Sequence, residues 1–198
     1  MTSIAVVSAG LSDPSSTRLL ADRLASATRE SLRDNASVEV VTLREHAHDV
    51  TNNLLTGFPG TRLGEVIRTV VDADALIAVT PIFNASYSGL FKSFFDVLEP
   101  DSLAGKPVLI GATGGTARHS LALEHALRPM FAHLRSVVVP TAVYAASEDW
   151  GNDAALNERI ALAGKELADL LEHRPPSRKA DPYTDVVPFE QLLVGGRG

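Results

Sequence analysis

Three times between Ile4 and Thr116 a short apolar, β-branched run ends in a loop rich in glycine or hydroxyl residues, and each loop opens into a helix-like segment. Ile4-Ala5-Val6-Val7 leads into Ser8-Ala9-Gly10-Leu11-Ser12-Asp13-Pro14-Ser15-Ser16-Thr17. Ala75-Leu76-Ile77-Ala78-Val79 leads into Thr80-Pro81-Ile82-Phe83-Asn84-Ala85-Ser86-Tyr87-Ser88-Gly89. Pro107-Val108-Leu109-Ile110-Gly111 leads into Thr113-Gly114-Gly115-Thr116. Continuous apolar runs of this length read as strands buried on both faces, as in a parallel sheet covered by helices. Loops that follow parallel strands gather at the carboxyl edge of the sheet, where ligands bind. Three of them in one chain point to a single nucleotide-like ligand held by backbone and hydroxyl groups.

The rest of the chain keeps the alternation. A helix begins near Ser16, with Leu19, Leu20, Leu24 and Ala27 on one face. Val38 to Leu43 reads as a second strand, and Arg44 to Gly60 as irregular, with Asn52-Asn53 and Pro59-Gly60 as breakers. Helices are expected at Leu63–Val71, Leu90–Leu98, Ser120–Leu134 and Ala154–Glu172, and a fifth strand from Val137 toward Val143. Strict alternation gives a three-layer, doubly wound α/β domain. Five strands fit the flavodoxin-like parallel sheet of order 2-1-3-4-5. The domain is expected over residues 1–174. Residues 175–198 carry Pro175, Pro176, Pro182 and Pro188 and read as a Pro-rich tail, either docked on the domain or a partner subunit through Phe189, Leu192, Leu193 and Val194 or mobile.

Composition narrows the function. The net charge of −6 comes without a basic block and argues against nucleic acid. The absence of cysteine removes disulfides, thiolate metal sites and thiol catalysis. Neither a signal peptide nor a membrane-spanning run is read, so a cytoplasmic location is expected.

Each loop suits part of one ligand. In the first, Gly10 allows tight backbone geometry, Ser8, Ser12, Ser15, Ser16 and Thr17 offer hydroxyls, and a helix start adds free N–H groups for an anion. There is no Gly-x-x-x-x-Gly-Lys-Ser/Thr, which disfavours a triphosphate with magnesium. Either this loop holds a terminal monophosphate or its serines only cap the helix. In the second, Pro81 stiffens the strand exit, and Phe83 gives a flat surface unless it is core. Asn84, Ser86 and backbone amides from Ala85 to Gly89 suit a planar heterocycle. In the third, Gly114-Gly115 let a backbone approach a ring closely; the motif is not Gly-x-Gly-x-x-Gly and follows the fourth strand, which disfavours a classical dinucleotide fold.

These residues resemble the NAD(P)H-dependent FMN reductases of the flavodoxin-like fold, closest to the actinobacterial type that accompanies luciferase-like monooxygenases. The resemblance lies in Ser15-Ser16-Thr17, in Gly114-Gly115, and above all in the segment from Thr80 to Asp96. The family pattern there is Pro-x-Tyr-Asn-x-Ser-x-Pro-Gly-x-Leu-Lys-x-x-x-Asp. This chain keeps Pro81, Asn84, Ser86, Gly89, Lys92 and Asp96, with Phe83 for the tyrosine and Ser88 for the second proline. It has Ser8-Ala9 in place of the usual Gly-Ser-x-Arg. The resemblance implies that Ser8, Ser15, Ser16 and Thr17 hold the FMN phosphate. It implies that Pro81, Ile82, Phe83, Asn84 and Ser86 line the flavin, and that Thr113, Gly114 and Gly115 lie along its dimethylbenzene side or ribityl wall. NADPH or NADH would pass a hydride directly to the flavin, which needs no protein acid, base or nucleophile. A homodimer or homotetramer is implied, with a monooxygenase as a partner for reduced FMN.

The alternative is a flavodoxin-like quinone reductase or electron-transfer protein with tightly bound FMN. A receiver domain is excluded, because it needs acidic residues where this chain has Ser8 and Thr80. Arg18 and Arg118 are each either phosphate partners or solvated helix residues. Lys92 is placed to pair with Asp96. His46-x-His48-Asp49 reads as a polar loop rather than a metal site, and Trp150 as a capping aromatic before a neighbour-subunit contact. The stripe Leu90, Phe91, Phe94, Phe95 and Leu98 is either core or a dimer face.

Overall fold

The apolar runs form the strands, and their continuity is explained by helices on both faces. The computed structural model describes residues 1–151 and 154–173. The tail expected at 175–198 and the boundary at 174 lie outside these residues. In chain order the elements are β1 (Thr2–Ser8), α1 (Ser16–Ser31), β2 (Ala36–Thr42), α2 (Ala47–Thr56), α3 (Thr61–Asp72), β3 (Ala75–Phe83), β4 (Ser86–Tyr87) and α4 (Gly89–Asp96). Then follow β5 (Pro107–Gly114), α5 (Arg128–His133), β6 (Val137–Val138), β7 (Val143–Ala146) and α6 (Ala154–Glu172). The parallel sheet runs β2-β1-β3-β5-β6, with β7 also parallel to β5 and β4 antiparallel to β3.

β6 and β7 are two pieces of the fifth strand, so the flavodoxin-like order 2-1-3-4-5 holds. Val138 faces Val108 and Val143 faces Gly111, and the strand bulges around Pro140 between them. Proline has no N–H for the ladder. The carbonyls of Val139 and Pro140 accept from Arg128 instead, and Thr141 donates its N–H and hydroxyl to Glu166.

Two cores flank the sheet. Ile4, Val6, Ile77, Val79 and Leu109 pack on Leu20 and Leu24 of α1 and Ile160 and Leu167 of α6. On the other face, Leu76, Ala78 and Ile110 join Val50, Val70, Phe91, Phe94 and Phe131. The aromatic stripe of α4 is therefore core: Phe91, Phe94 and Phe95 are buried within the chain. Phe91 and Phe95 both meet Phe131 edge to face.

Three expectations need correction. Residues 44–60 are not irregular: a 3₁₀ turn (Leu43–His46) leads into α2, whose inward residues Val50 and Asn53 are buried. Packing overrides the helix-averse asparagines there. The helix expected at Ser120–Leu134 is broken, because a π turn at Leu123–Leu127 precedes α5. Pro129 explains it, since its ring clashes with a regular i−4 carbonyl and the wider turn relieves that clash. Third, Pro81 does not mark the strand exit, because β3 continues through Phe83 with Pro81 opposite Thr113. Val79 faces β1 by accepting from Ala9 N. Residues two apart face the same neighbour, so Pro81 meets the side where β1 has already ended at Ser8.

Candidate functional site

The loops after β1, β2, β3, β5 and β7 all emerge at one edge of the sheet, as parallel strands require. Between the first two lies a cavity of about 490 Å³. Ser8, Gly10, Ser12, Asp13 and Ser15 line it from the first loop, with Arg18 from α1 and Thr42, Arg44 and Glu45 from the end of β2.

The first loop is built around Ser15 and Gly10. Ser15 is the N-cap of α1 and accepts from Arg18 N at 3.2 Å. A Cβ on Gly10 would fall 2.0 Å from Ser15 Oγ, so only glycine leaves room for the capping hydroxyl. Ser15 takes the Arg18 and Leu19 amides, leaving the N–H groups of Ser16 and Thr17 without an intrahelical partner. At the start of the same loop the Ser8 hydroxyl is fully buried and unpaired. Open amides, a helix dipole and an orphaned hydroxyl form an anion-binding arrangement. Two guanidinium groups add positive charge. Arg18 is steered by Asp22 at 2.8 Å and Thr42 Oγ1 at 3.0 Å, and Arg44 is exposed on the opposite wall.

Not every expected hydroxyl is open. Thr17 and Thr113 bond each other at 2.8 Å, both buried. What Thr17 presents to the loop is its N–H.

The second loop is a tight hairpin. β3 turns at Asn84-Ala85 into β4, with Phe83 opposite Ser86 and Ile82 opposite Tyr87. Both turn residues have positive φ, 48° and 68°, as a type I′ turn demands. Pro81 and Ile82 are buried, whereas Phe83 is 47% exposed. Phe83 is thus not core, and its ring stands at the sheet edge. The amides expected open from Ala85 to Gly89 are partly engaged: Ser88 N donates to Thr80 Oγ1, and Ser88 Oγ caps α4 by accepting from Phe91 N.

In the third loop Thr113 and Gly114 finish β5, and Gly115 lies open with no atom near a would-be Cβ. Tyr144 of β7 reaches across and donates to the Thr116 carbonyl at 2.9 Å. Sequence reading singled out neither Tyr144 nor Thr42, Arg44 and Glu45. The latter three follow from the carboxyl-edge rule once β2 is seen to end at Thr42.

The remaining candidates fall elsewhere. Arg118 is exposed in the turn Ala117–His119. Lys92 pairs with Asp96 on α4. His46 is buried with its Nδ1 3.8 Å from Asp49, while His48 points to solvent. Trp150 packs on the α1–α6 layer under the Arg23 guanidinium, 5.2 Å from its ring centre.

Comparison with known proteins decides the family. Residues 2–151 match the profile of a family described as NADPH-dependent FMN reductase. The chain belongs to that family. It is 34% identical to an FMN reductase (NADPH) of Pseudomonas aeruginosa over 86% of this chain and 93% of the relative. It is 32% identical to an NADH-dependent FMN reductase, SfnE, of Pseudomonas putida, over 89% and 96%. Among solved structures, an oxidoreductase from Corynebacterium diphtheriae superimposes with a TM-score of 0.86 at 45% identity, covering 88% of this chain and 99% of that one. An archaeal flavodoxin at 15% identity and TM-score 0.58, covering 87% and 100%, shows the shared fold. Among the described residues no helix is long and apolar enough to cross a membrane.

Proposed function

We propose that this chain is an NAD(P)H:FMN oxidoreductase whose flavin lies at the carboxyl edge of the sheet, its phosphate in the loop Ser8–Thr17. The observation that carries this reading is Ser8: a fully buried hydroxyl with no partner, lining a cavity at an open helix N-terminus. Leaving such a group unpaired costs about 1–3 kcal/mol. A monophosphate oxygen satisfies it, the Ser16 and Thr17 amides complete the cradle, and Arg18 and Arg44 supply positive charge beside the carboxylates of Asp13 and Glu45. The residues present therefore fit FMN.

Pro81, Ile82, Phe83, Asn84 and Ser86 form one wall for the ring, with Thr113, Gly114 and Gly115 on the other side. Bound FMN supplies a two-electron acceptor for the nicotinamide hydride. The protein's work is to fix the flavin, leave a face open to the nicotinamide and keep the hairpin and the Gly-Gly segment in place. Relatives named for NADPH and for NADH support either donor. Exposed Leu55 and Phe58 support a homodimer or homotetramer. Delivery of reduced FMN to a luciferase-like monooxygenase in the cytoplasm rests on the sequence resemblance.

The test is steady-state oxidation of NADPH and of NADH, followed at the nicotinamide absorbance with and without FMN. FMN-dependent turnover is expected, and the faster nucleotide names the donor. Tight FMN binding with no turnover from either nucleotide overturns the reductase in favour of a carrier.

A further inference from the structure

Tyr144 crosses from the fifth strand to the third loop with a hydrogen bond. It lies on β7 opposite Ala112, and its ring joins the core on the α2–α5 side of the sheet. Its hydroxyl donates to the Thr116 carbonyl at 2.9 Å. The same oxygen occupies the space that a side chain at Gly114 would need. A Cβ there would meet the Tyr144 hydroxyl oxygen at 2.1 Å and the ring carbon Cζ at 3.2 Å. Gly114 does not have positive φ, so the position does not use glycine's backbone freedom. It uses the missing Cβ, and Tyr144 is the reason.

We infer that Tyr144 is a positioning residue: by bonding Thr116 over Gly114 it holds the Gly114-Gly115 segment in the shape that receives the flavin. This inference rests on the reductase reading for the identity of the ligand. Two adjacent glycines have the largest backbone entropy to lose on ordering. A hydroxyl that fixes the far end of the pair lowers that cost before any ligand arrives. The donor is well suited to the task. Burial, and then the Asp149 carboxylate, push the Tyr144 phenol pKa above its ordinary value, so it stays protonated. Asp149 is itself held by accepting from Ala146 N at 2.7 Å, which fixes the chain just beyond β7.

The experiment compares wild type with Tyr144→Phe, Gly114→Ala and the double variant. FMN affinity is read by quenching of flavin fluorescence, and amide hydrogen exchange across Gly114–Ala117 is read on the apoprotein. Tyr144→Phe keeps the ring and loses one neutral hydrogen bond, so the Kd for FMN should rise roughly 3- to 10-fold. KM for FMN should rise by more than kcat falls. Exchange at Gly115 and Thr116 should quicken without flavin present. Gly114→Ala alone should bind FMN worse than Tyr144→Phe does. Adding Tyr144→Phe to it should recover part of the binding, because the 2.1 Å clash with the hydroxyl oxygen is gone and the ring carbon left at 3.2 Å has only a few tenths of an ångström to yield. Unchanged FMN affinity and unchanged exchange in Tyr144→Phe overturn the assignment, as does a double variant no better than Gly114→Ala. If wild type itself neither binds nor reduces FMN, the reductase reading falls and this assignment falls with it. Wild type that does both, with Tyr144→Phe unchanged, sinks the assignment alone.

Discussion

The hydroxyls of Thr17 and Thr113 meet at 2.8 Å in the buried interior, joining the first turn of α1 to the end of β5. The first and third loops are thus tied by a bond that never reaches solvent. Thr113→Val leaves the Thr17 hydroxyl buried and unpaired, which should destabilise the protein by about 1–3 kcal/mol. Replacing both threonines by the isosteric valine should cost less than the sum of the two single changes, because no orphan remains. Urea denaturation of the four proteins measures it. Strict additivity would show that the two hydroxyls do not bond.

Gly10→Ala should act on the phosphate and not on the ring. Its Cβ would lie 2.0 Å from Ser15 Oγ and must push away the cap of α1. Loss of an N-cap costs about 1 kcal/mol of stability, and the cradle moves with it. FMN affinity should fall at least 10-fold, while riboflavin, which lacks the phosphate, should bind as it does to wild type. Parallel fluorescence titrations with the two flavins decide the matter. An equal loss for both would place the phosphate elsewhere.

The elements that sequence reading located are those whose pattern is local and undiluted. The β1, β3 and β5 runs are continuous, and α6 matches its expected span of Ala154–Glu172. The α2 helix was missed because only Val50 and Asn53 of its ten residues are buried, and asparagines signal loops. The break before α5 was missed because apolar spacing runs through Pro129 unaltered, whereas the clash is three-dimensional. In the candidate site, the positions of the three loops were legible because strand ends announce them. Tyr144 was not. Its role depends on β5 and β7 lying side by side in one register, which places a phenol over a glycine far away in the chain. The Thr17–Thr113 bond is of the same kind: each hydroxyl is visible in the sequence, and their meeting is not.

The hairpin stores backbone strain that substitution can release. Ala85 sits at φ 68°, where an L-residue with a Cβ pays roughly 1–2 kcal/mol. Asn84, at φ 48°, tolerates that region better. Ala85→Gly should therefore stabilise the protein by about 1 kcal/mol after glycine's entropy in the unfolded chain is deducted, which is roughly 2–4 °C in Tm. Ala85→Val should do the reverse and more strongly, since a β-branched residue fits there worst. Differential scanning calorimetry of both variants reads the two signs. A destabilised Ala85→Gly would mean that the turn does not hold positive φ at this residue.

Acid should weaken the bulge that sets β7 beside β5. Arg128 donates to the carbonyls of Val139 and Pro140 and also to both carboxylate oxygens of Glu124. The hydrogen bonds from Arg128 hold the Glu124 carboxyl below its ordinary value, against a smaller upward push from burial. The unfolded chain then binds the proton more readily than the folded one, so stability rises with pH across that window. The contribution is present above the ordinary glutamate value of about 4.3 and is lost as pH falls through the folded pKa. Glu124 is largely exposed, so the effect is that of a surface pair, under about 1 kcal/mol. Glu124→Gln keeps the shape and removes the charge. Its Tm should lie below wild type at pH 7, and the two should converge as the pH falls through the lowered folded pKa of Glu124, below which both carry a neutral side chain. Raising the salt at pH 7 should narrow the same gap. A difference that did not shrink with falling pH would assign the loss to packing and leave the ionised carboxylate no part in holding the strand.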